Sequence, residues 1–426
     1  MEPLRHETEA RGRRATRRAS LIAMRRLLRL SGESRKDLRE GLGSLMLCNL
    51  GDYISGFFLA VVFEPIIRSN PFLLGLLPAA SDARGDVYSS YGSRLGTLLH
   101  LGLYKRHRKS ELYALFFLMV TVNIWIGFIV YILSSLVHGS DVSLLDIVFI
   151  ALASAIAAAV FMVPAVTWLA VYSFHRGLDP DNLVSPIATL FGDMVTIPSI
   201  VLGYEAAIRI PAPARILFIA ASLSAAAGLF AYLMRRGGPD AARAARIVKE
   251  NLAVILLATS FSAAAGAILV DNTASLFKWP GLLVVVPAFL EDGGAIACRF
   301  SARLATRLHL GTMRPRCYPP TKWTVEQLLV NLVHAAVVFT SLGMMGAAVN
   351  IYKVAATALV TAKIFAAILL GGIFLAVVIS IISYCMAIVS FRVGLDPDNV
   401  LAPLLTSIAD ILGVLSLLAF ARLLGL

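Results

Sequence analysis

The chain contains two matching stretches, GLDPDNLVSPIATLFGDMVTI at residues 177–197 and GLDPDNVLAPLLTSIADILGV at residues 394–414. Each begins with a turn-forming Gly-Leu-Asp-Pro and continues as an apolar segment that keeps one aspartate, Asp193 or Asp410. The LDPDN pattern is typical of a helix start, with an aspartate cap followed by proline and a second acidic residue. Each retained aspartate comes thirteen residues after its helix-start proline, which is roughly 20 Å along a helix. An acidic side chain therefore recurs deep inside an apolar segment.

The composition is that of an integral membrane protein. Of the 426 residues, 58% are hydrophobic and 15% are charged, and apolar runs long enough to cross a bilayer recur along the chain. The sequence therefore predicts an all-α, polytopic fold with about eleven spans. We place these spans at residues 42–63, 71–99, 112–136, 143–174, 183–205, 214–234, 250–270, 280–304, 326–349, 355–390 and 401–424.

The basic residues behind the formal charge of +12 are distributed as in a membrane protein rather than as in a nucleic-acid-binding protein. Basic residues gather in the N-terminal segment 1–41 and in short loops between apolar runs, whereas the alternate loops are poor in Lys and Arg. This bias predicts a cytoplasmic N-terminus, an outside C-terminus and no nucleic-acid partner. The basic segment could instead lie on anionic lipid as an amphipathic helix. It contains no signal-peptide h-region, and the four cysteines lack metal or disulfide spacing.

A second repeat shows that the chain is built from two halves. PAASDARGDVYSSYGSRLGTLLHLG at residues 78–102 matches PAFLEDGGAIACRFSARLATRLHLG at residues 287–311, 209 positions later. The sequence predicts two five-helix repeats, made parallel by one additional span between them. The predicted divisions are the basic segment 1–41, a first repeat at 42–208, a linking helix with a cytoplasmic loop at 209–249, and a second repeat at 250–426.

Two parallel halves pair most simply around a central axis, so a feature near that axis faces its own copy. Steps of 4, 7, 8 and 11 residues back from each aspartate stay near one helix face. That face carries Thr189, Pro186, Ser185 and Asn182 in the first half and Thr406, Pro403, Ala402 and Asn399 in the second. The alternative is that each aspartate only hydrogen-bonds to a neighbouring helix. Two repeat-equivalent acids favour a cation pathway, because facing carboxylates repel unless a cation lies between them.

The second span of each half contains further candidate residues. Gly85, Gly293 and Gly294 permit a helix break or a close helix approach, and Pro186 and Pro403 are further candidate breaks. Secondary ion-site candidates are Asp82, Asp86, Glu291 and Asp292. Arg94 and Arg303 are expected near the cytoplasmic boundary. Asp52 has no assigned role, because the spacing of 209 places it opposite Phe261.

The chain resembles the divalent-cation transporters of the MgtE superfamily, specifically the double-repeat branch typified by the solute carrier 41 magnesium transporters. The resemblance covers both halves and rests on DPDNLVSPIATLFGDMVT, on DPDNVLAPLLTSIADILG and on the segments that begin at Pro78 and Pro287. It implies a pore between the halves in which Asp193 and Asp410 contact hydrated Mg²⁺, lined also by Thr189, Ser185, Thr406 and Ala402. Because single-repeat relatives form homodimers, it also implies that this chain functions as a monomer. A Gly-Asn pair common in relatives is here Gly85-Asp86 and Gly294-Ala295.

The sequence therefore predicts a transporter or channel that moves Mg²⁺, and also Co²⁺, across the plasma membrane, with membrane lipid as its surroundings. Mg²⁺ is the transported ion, and neither an organic cofactor nor an enzymatic activity is expected. One alternative is an exchanger coupled to Na⁺ or H⁺. An alternative of another class is a membrane-embedded metal-dependent enzyme that uses the four secondary carboxylates. A third is a helical scaffold, in which Asp193 and Asp410 would be dispensable.

Overall fold

The computed structural model describes residues 31–138, 142–176, 180–315, 320–393 and 397–426, and this part of the chain is helical almost throughout. Its helices are α1 (Gly32–Phe57), α2 (Glu64–Ser69), α3 (Phe72–His100), α4 (Tyr104–His138), α5 (Leu144–His175), α6 (Pro180–Arg209), α7 (Ala212–Arg236), α8 (Gly238–Asp271), α9 (Thr273–Lys278), α10 (Pro280–Leu283), α11 (Val286–His309), α12 (Lys322–Val354), α13 (Ala358–Arg392) and α14 (Pro397–Leu423). A π-helical turn, Phe58–Val62, extends α1. The predicted all-α class is confirmed.

Eleven of these helices are long, as the sequence predicted for the part of the chain that is described. Ten segments are long and apolar enough to cross a membrane. The remaining long helix, α3, is more polar because it carries Asp82, Arg84, Asp86 and Arg94. The chain is thus a polytopic integral membrane protein. The basic segment before residue 31 and Cys317 lie outside the described residues.

Three helices begin eight or more residues before their predicted spans, namely α4, which starts at Tyr104 rather than at residue 112, and the helices α1 and α8. Helix α1 starts at Gly32 rather than at residue 42, because Ser31 caps it and its Oγ accepts from the Ser34 amide at 3.2 Å. Helix α8 starts at Gly238, so residues 238–249, predicted as part of a cytoplasmic loop, are helical. Gly237, with φ of 64°, makes the turn out of α7, and a proline then occupies the first turn of α8. Gly237, together with the proline in the first turn of α8, therefore makes a tight turn where a loop was predicted.

The repeated His-Leu-Gly ends a helix in each half. Gly102 and Gly311 have φ of 68° and 67°, the left-handed conformation that only glycine adopts readily. One residue further on, the Leu103 amide donates to the Leu98 carbonyl at 2.9 Å, and the Thr312 amide donates to the Arg307 carbonyl at 3.1 Å. These bonds are the Schellman arrangement that closes a helix end. The repeat in sequence is therefore a repeat in structure.

The first helix of each half is exchanged between the halves. Helix α1 packs on α6 of its own half and on α11 and α12 of the second half. Helix α8 correspondingly packs on α14 of its own half and on α3 and α4 of the first half. The exchange places α1 and α8 at the boundary between the halves. Residues on these two helices can therefore contact residues of either repeat.

Two glycines fix the register of the exchanged helices. A Cβ on Gly56 would lie 1.9 Å from the Val284 carbonyl oxygen, and a Cβ on Gly266 would lie 2.2 Å from the Gly75 carbonyl oxygen. Gly75 and Val284 are equivalent at the spacing of 209, so Gly56 and Gly266 are equivalent at 210. The first helices are thus shifted by one residue relative to the gapless alignment. Asp52 is consequently the counterpart of Ser262, and its pairing with Phe261 was wrong.

The linking helix α7 lies on the outside of the bundle, against α4, α5 and α8. Only 11% of the residues in its apolar stretch are buried, and Leu217 is 69% exposed. A helix that is apolar on its outer surface is suited to face lipid. Because six spans precede α8, an even number, both halves start on the same side of the bundle.

The predicted helix breaks are wrong, because α3, α6, α11 and α14 continue through all five glycine and proline positions named as candidates. Gly293 and Gly294 are instead close-approach positions, where added Cβ atoms would lie 2.8 Å from Leu375 and 3.0 Å from Thr406. Gly85 has open space around it. The break in this span lies earlier, between α10 and α11. Gly293 and Gly294 therefore serve helix packing rather than interruption.

Ion pairs tie the exchanged helices to the opposite half near the ends of α3 and α11. Arg94 on α3 pairs with Glu111 on α4 at 2.8 Å, and Glu111 also pairs with Arg243 on α8 at 2.7 Å. Arg303 on α11 pairs with Asp37 on α1. The two arginines predicted as boundary anchors therefore each take part in a contact that joins the halves.

Candidate functional site

Carboxylates from both halves meet at the centre of the bundle. Within the described residues, seven form one electrostatically connected group, which we call the central acidic cluster: Asp52 (α1), Asp82 and Asp86 (α3), Asp193 (α6), Glu291 and Asp292 (α11) and Asp410 (α14). Glu291 is the electrostatic neighbour of both Asp193 and Asp82, so the group spans the boundary between the repeats.

The cluster combines buried and accessible carboxylates. Asp52, Asp193, Asp292 and Asp410 are at most 7% exposed. The others are only half-buried, although they lie on helices in the interior of the bundle. Asp82 and Asp86 are one turn apart on α3 and therefore share a face. Protein therefore leaves three of the seven carboxylate side chains partly uncovered.

On one side of the cluster, two serines contact Asp82, which is an electrostatic neighbour of Asp410, and we call Asp82, Asp410, Ser262 and Ser407 the Asp410 subsite. Asp410 Oδ2 has no hydrogen-bond partner among the described residues. The Ser262 hydroxyl donates to Asp82 Oδ2. Ser407 Oγ lies 3.1 Å from the same oxygen and 2.9 Å from the Pro403 carbonyl oxygen. Hydroxyl groups thus partly satisfy the carboxylates of this subsite.

The other side, the Asp193 subsite, contains Asp52, Asp193 and Glu291. Asp193 accepts from the Ser81 hydroxyl at 2.5 Å, and its strongest electrostatic neighbour is Asp52. Neither carboxylate oxygen of Asp52 has a hydrogen-bond partner among the described residues. Three carboxylates therefore meet here with fewer donors than in the Asp410 subsite.

Asparagine supports the neighbouring Asp292. The Asn49 amide nitrogen donates to both carboxylate oxygens of Asp292, at 2.8 and 3.0 Å, in the amide orientation that satisfies both groups. Both side chains are fully buried. Asn49, which lies one turn before Asp52 on α1, therefore holds Asp292 in place.

Arg84 is the one base that the described structure places among the electrostatic neighbours of these carboxylates. Its side chain is 4% exposed, and its positive charge interacts electrostatically with the Asp193 carboxylate. Nη2 donates to Ser154 Oγ at 3.2 Å, whereas Nε and Nη1 have no partner among the described residues. The equivalent position in the second half is Gly293. A single guanidinium thus offsets part of the negative charge, and it does so on one side only.

The carboxylates are grouped but do not form a cage. Among the described residues, no three His, Cys, Asp or Glu side chains are placed to hold a metal ion between them. The principal neighbours of Asp193 are Asp52 and Asp82, whereas those of Asp410 are Asp82 and Glu291. The two repeated aspartates are therefore connected through Asp82 and Glu291.

The predicted polar stripe is described only in part. Thr406 Oγ1 donates to the Pro403 carbonyl at 3.0 Å, and its methyl group faces Gly294. Ala402 is exposed, and its carbonyl oxygen lies 3.6 Å from the Cys298 thiol. Thr189 is half-buried. The side chains of Asn182, Ser185, Pro186 and Asn399 lie outside the described residues.

Sequence reasoning missed the neutral and basic members of the site. Ser81 and Arg84 lie within the repeated segment at 78–102, in which neither was named as a candidate. Asn49 and Ser262 belong to the first helices, whose register the gapless spacing misread by one residue. Alignment of Gly56 with Gly266 would have placed Ser262 opposite Asp52.

An all-helical membrane bundle of two repeats with an acidic interior defines the general class of this chain, an integral membrane protein with a polar central site. Comparison with known families makes the class specific. The family described as MgtE, divalent cation transporter, matches residues 77–203 and 286–420, one segment in each repeat. The chain belongs to this family.

Two curated relatives place the chain in the double-repeat branch. Solute carrier family 41 member 3 from Rattus norvegicus is 25% identical over 410 residues, which cover 89% of this chain and 85% of that protein. The Mus musculus protein of the same name is 24% identical over 384 residues, covering 83% and 75%. No solved structure matches the chain.

Proposed function

We propose that the chain transports Mg²⁺, and also Co²⁺, across the plasma membrane through the central acidic cluster. The observation that carries this proposal is the convergence of carboxylates from both repeats inside an otherwise apolar bundle. Asp193 and Asp410 are the central contacts for the ion, and Asp82 and Glu291 connect them. The family match supports a divalent cation as the cargo.

The charge of the cluster favours a cation as its occupant. Seven carboxylates face one described guanidinium, and buried like charges are strongly unfavourable without compensation. A divalent ion compensates two charges at once. Because no described group of three ligands could hold a metal ion directly, the carboxylates are suited to an ion that keeps its water. Mg²⁺ gives up its water reluctantly and is usually bound by one or two carboxylates.

The placement of the secondary carboxylates supports transport over enzymatic chemistry. Asp82, Asp86, Glu291 and Asp292 belong to the same central cluster as Asp193 and Asp410. Because both repeats supply residues to that cluster, one chain provides a complete route, and we propose a monomer as the functional unit. A route that passes between two homologous halves is a common transporter design.

Basic helix ends support the proposed orientation. Helices α5, α7, α11 and α13 carry His175, Arg235 and Arg236, Arg307 and His309, and Arg392 in their last turns. If every long helix crosses the membrane, these four ends lie on the side where α1 begins, together with the basic start of α4 (Lys105, Arg106, Arg108 and Lys109). The ends of α6, α12 and α14 on the other side carry one base each, Arg209, Lys353 and Arg422. Positive charge accumulates on the cytoplasmic side. We therefore propose a cytoplasmic N-terminus and an outside C-terminus.

Purified protein in liposomes of phosphatidylcholine and phosphatidylglycerol tests the function and its coupling. Mg²⁺ uptake is measured with a fluorescent indicator under a Mg²⁺ gradient alone, with an added Na⁺ gradient, and with an added proton gradient. Uptake under the Mg²⁺ gradient alone indicates a channel. Uptake that requires Na⁺ or protons indicates the corresponding exchanger. Absence of uptake under all three conditions rejects the proposal.

Arg84→Gln is expected to tighten Mg²⁺ interaction and slow release. Removal of a buried positive charge beside Asp193 makes the cluster more attractive to cations, and we expect the half-saturating Mg²⁺ concentration for uptake to fall about tenfold. The maximal rate falls as well, because the ion leaves more slowly. Arg84→Lys keeps the charge and serves as the matched control, with a half-saturating concentration within about twofold of the wild type. An unchanged or higher value for Arg84→Gln contradicts the assignment.

A further inference from the structure

We infer that Asp52, with Asp193 and Glu291, forms a second cation site, which takes a hydrated divalent ion and is distinct from the site of Asp82 and Asp410. The inference rests on the proposed function for the identity of the ion. It assigns a role to Asp52, an acid that the repeat pattern alone left without a function.

Asp52 is a buried carboxylate without a protein partner. Its side chain is 1% exposed, and neither oxygen meets a donor among the described residues. Its electrostatic neighbours are Asp292 and Glu291, and its charge also acts on Asp193. Asn49, on the same helix, donates to Asp292 instead. A buried carboxylate in such surroundings is compensated either by a proton or by a cation, and the inference assigns a cation.

The two halves differ at this position in a way that separates the sites. Ser262, the counterpart of Asp52, is a neutral donor to Asp82. The Asp410 subsite is therefore two carboxylates with two hydroxyls on Asp82, whereas the Asp193 subsite is three carboxylates with one hydroxyl donor, Ser81. Equal repeats would give equal sites. The exchange of Ser for Asp gives the first half a third carboxylate, and Arg84 beside Asp193 offsets one charge on that side alone.

Free thiols mark the two sites separately. Cys48 lies one turn before Asp52 on α1, and its electrostatic neighbours are Glu291, Asp52, Asp292 and Asp193. Those of Cys298 are Glu291, Asp86 and Asp82. Both thiols are free and half-buried. Each site can thus be observed in the wild-type protein through the reactivity of its nearest thiol.

The first experiment counts bound Mg²⁺ by equilibrium dialysis of the full-length protein in detergent. We expect two ions for the wild type, one for Asp52→Asn, and two for Glu205→Gln, a control at an acid on α6 that pairs with Arg209 at 2.6 Å outside the cluster. Mg²⁺-free Asp52→Asn should unfold at a higher temperature than Mg²⁺-free wild type, because a repelling charge is gone. Two ions bound by Asp52→Asn with unchanged affinity overturn the inference and identify Asp52 as a neutral, protonated group.

The second experiment needs no variant and follows alkylation of each thiol by N-ethylmaleimide with mass spectrometry. Mg²⁺ is expected to change the alkylation rate of Cys48 at least tenfold, because it neutralises the carboxylates around this thiol, with a midpoint concentration different from that at Cys298. Cys385 is compared as a third thiol. If Mg²⁺ changes the rate at Cys298 but leaves Cys48 unchanged, the inference fails while the transport proposal stands. If Asp52→Asn loses one ion but no liposome condition gives flux, the site stands and the transport proposal fails.

Discussion

Replacement of Asp193 and Asp410 together by asparagine is expected to reduce Mg²⁺ flux into liposomes at least a hundredfold. Asparagine keeps the shape of each side chain, and at position 193 its carbonyl oxygen can still accept from Ser81. The substitution removes two of the charges that stabilise the ion within the bundle. A hundredfold loss corresponds to about 2.7 kcal/mol in the barrier, a modest demand for two buried carboxylates. Flux is measured with the same indicator assay, with protein incorporation checked for each preparation.

Single variants and a control on the same helix sharpen this prediction. Asp193→Asn and Asp410→Asn should each lose activity, and unequal losses are expected because the first half also carries Asp52 and Arg84. Glu205→Gln is the control, since Glu205 lies on α6 beyond Asp193 and pairs at 2.6 Å with the exposed Arg209. We expect that variant to transport normally. Wild-type flux in the double variant would show that the repeated aspartates are structural and would support the scaffold alternative.

The number of spans and the internal duplication could be predicted because both depend on local pattern. Apolar length alone identifies a membrane helix, and His-Leu-Gly requires a glycine in both halves for the same backbone reason. These features are set by residues close together in the chain, so a single sequence contains them.

The exchange of the first helices could not be predicted, because it depends on which surfaces meet in three dimensions. The sequences of α1 and α8 do not indicate which half supplies the helices that pack against them. The roles of Asp52 and Ser262 followed from that exchange and from a one-residue shift in register. Arg84 was missed for a similar reason, because its neighbours Ser154 and Asp193 belong to α5 and α6 and meet α3 only in the folded bundle.

Gly56→Ala and Gly266→Ala are each expected to destabilise the protein by about 3 kcal/mol or more, at the upper end of the range for overpacked sites. Each added Cβ would meet a backbone carbonyl oxygen, at 1.9 Å for Gly56 and 2.2 Å for Gly266. Backbone cannot move aside as the end of a flexible side chain can, so the exchanged helix must shift as a whole. We expect the apparent unfolding temperature of the purified protein to fall by at least about 3 °C. Less monodisperse protein should be recovered.

Gly228→Ala is the matched control, because this glycine lies in α7 with nothing within 4 Å of an added Cβ. Alanine is favoured over glycine in a helix by about 1 kcal/mol, so this variant should be as stable as the wild type or slightly more so. Comparable losses at positions 56 and 266 would support their equivalence. At the spacing of 209, the counterpart of Gly56 is instead Ala265, which already carries a Cβ in the buried core. That register gives no reason for an alanine at position 266 to destabilise the protein. Tolerance of alanine at either glycine would therefore contradict both the exchanged packing and the pairing of Asp52 with Ser262.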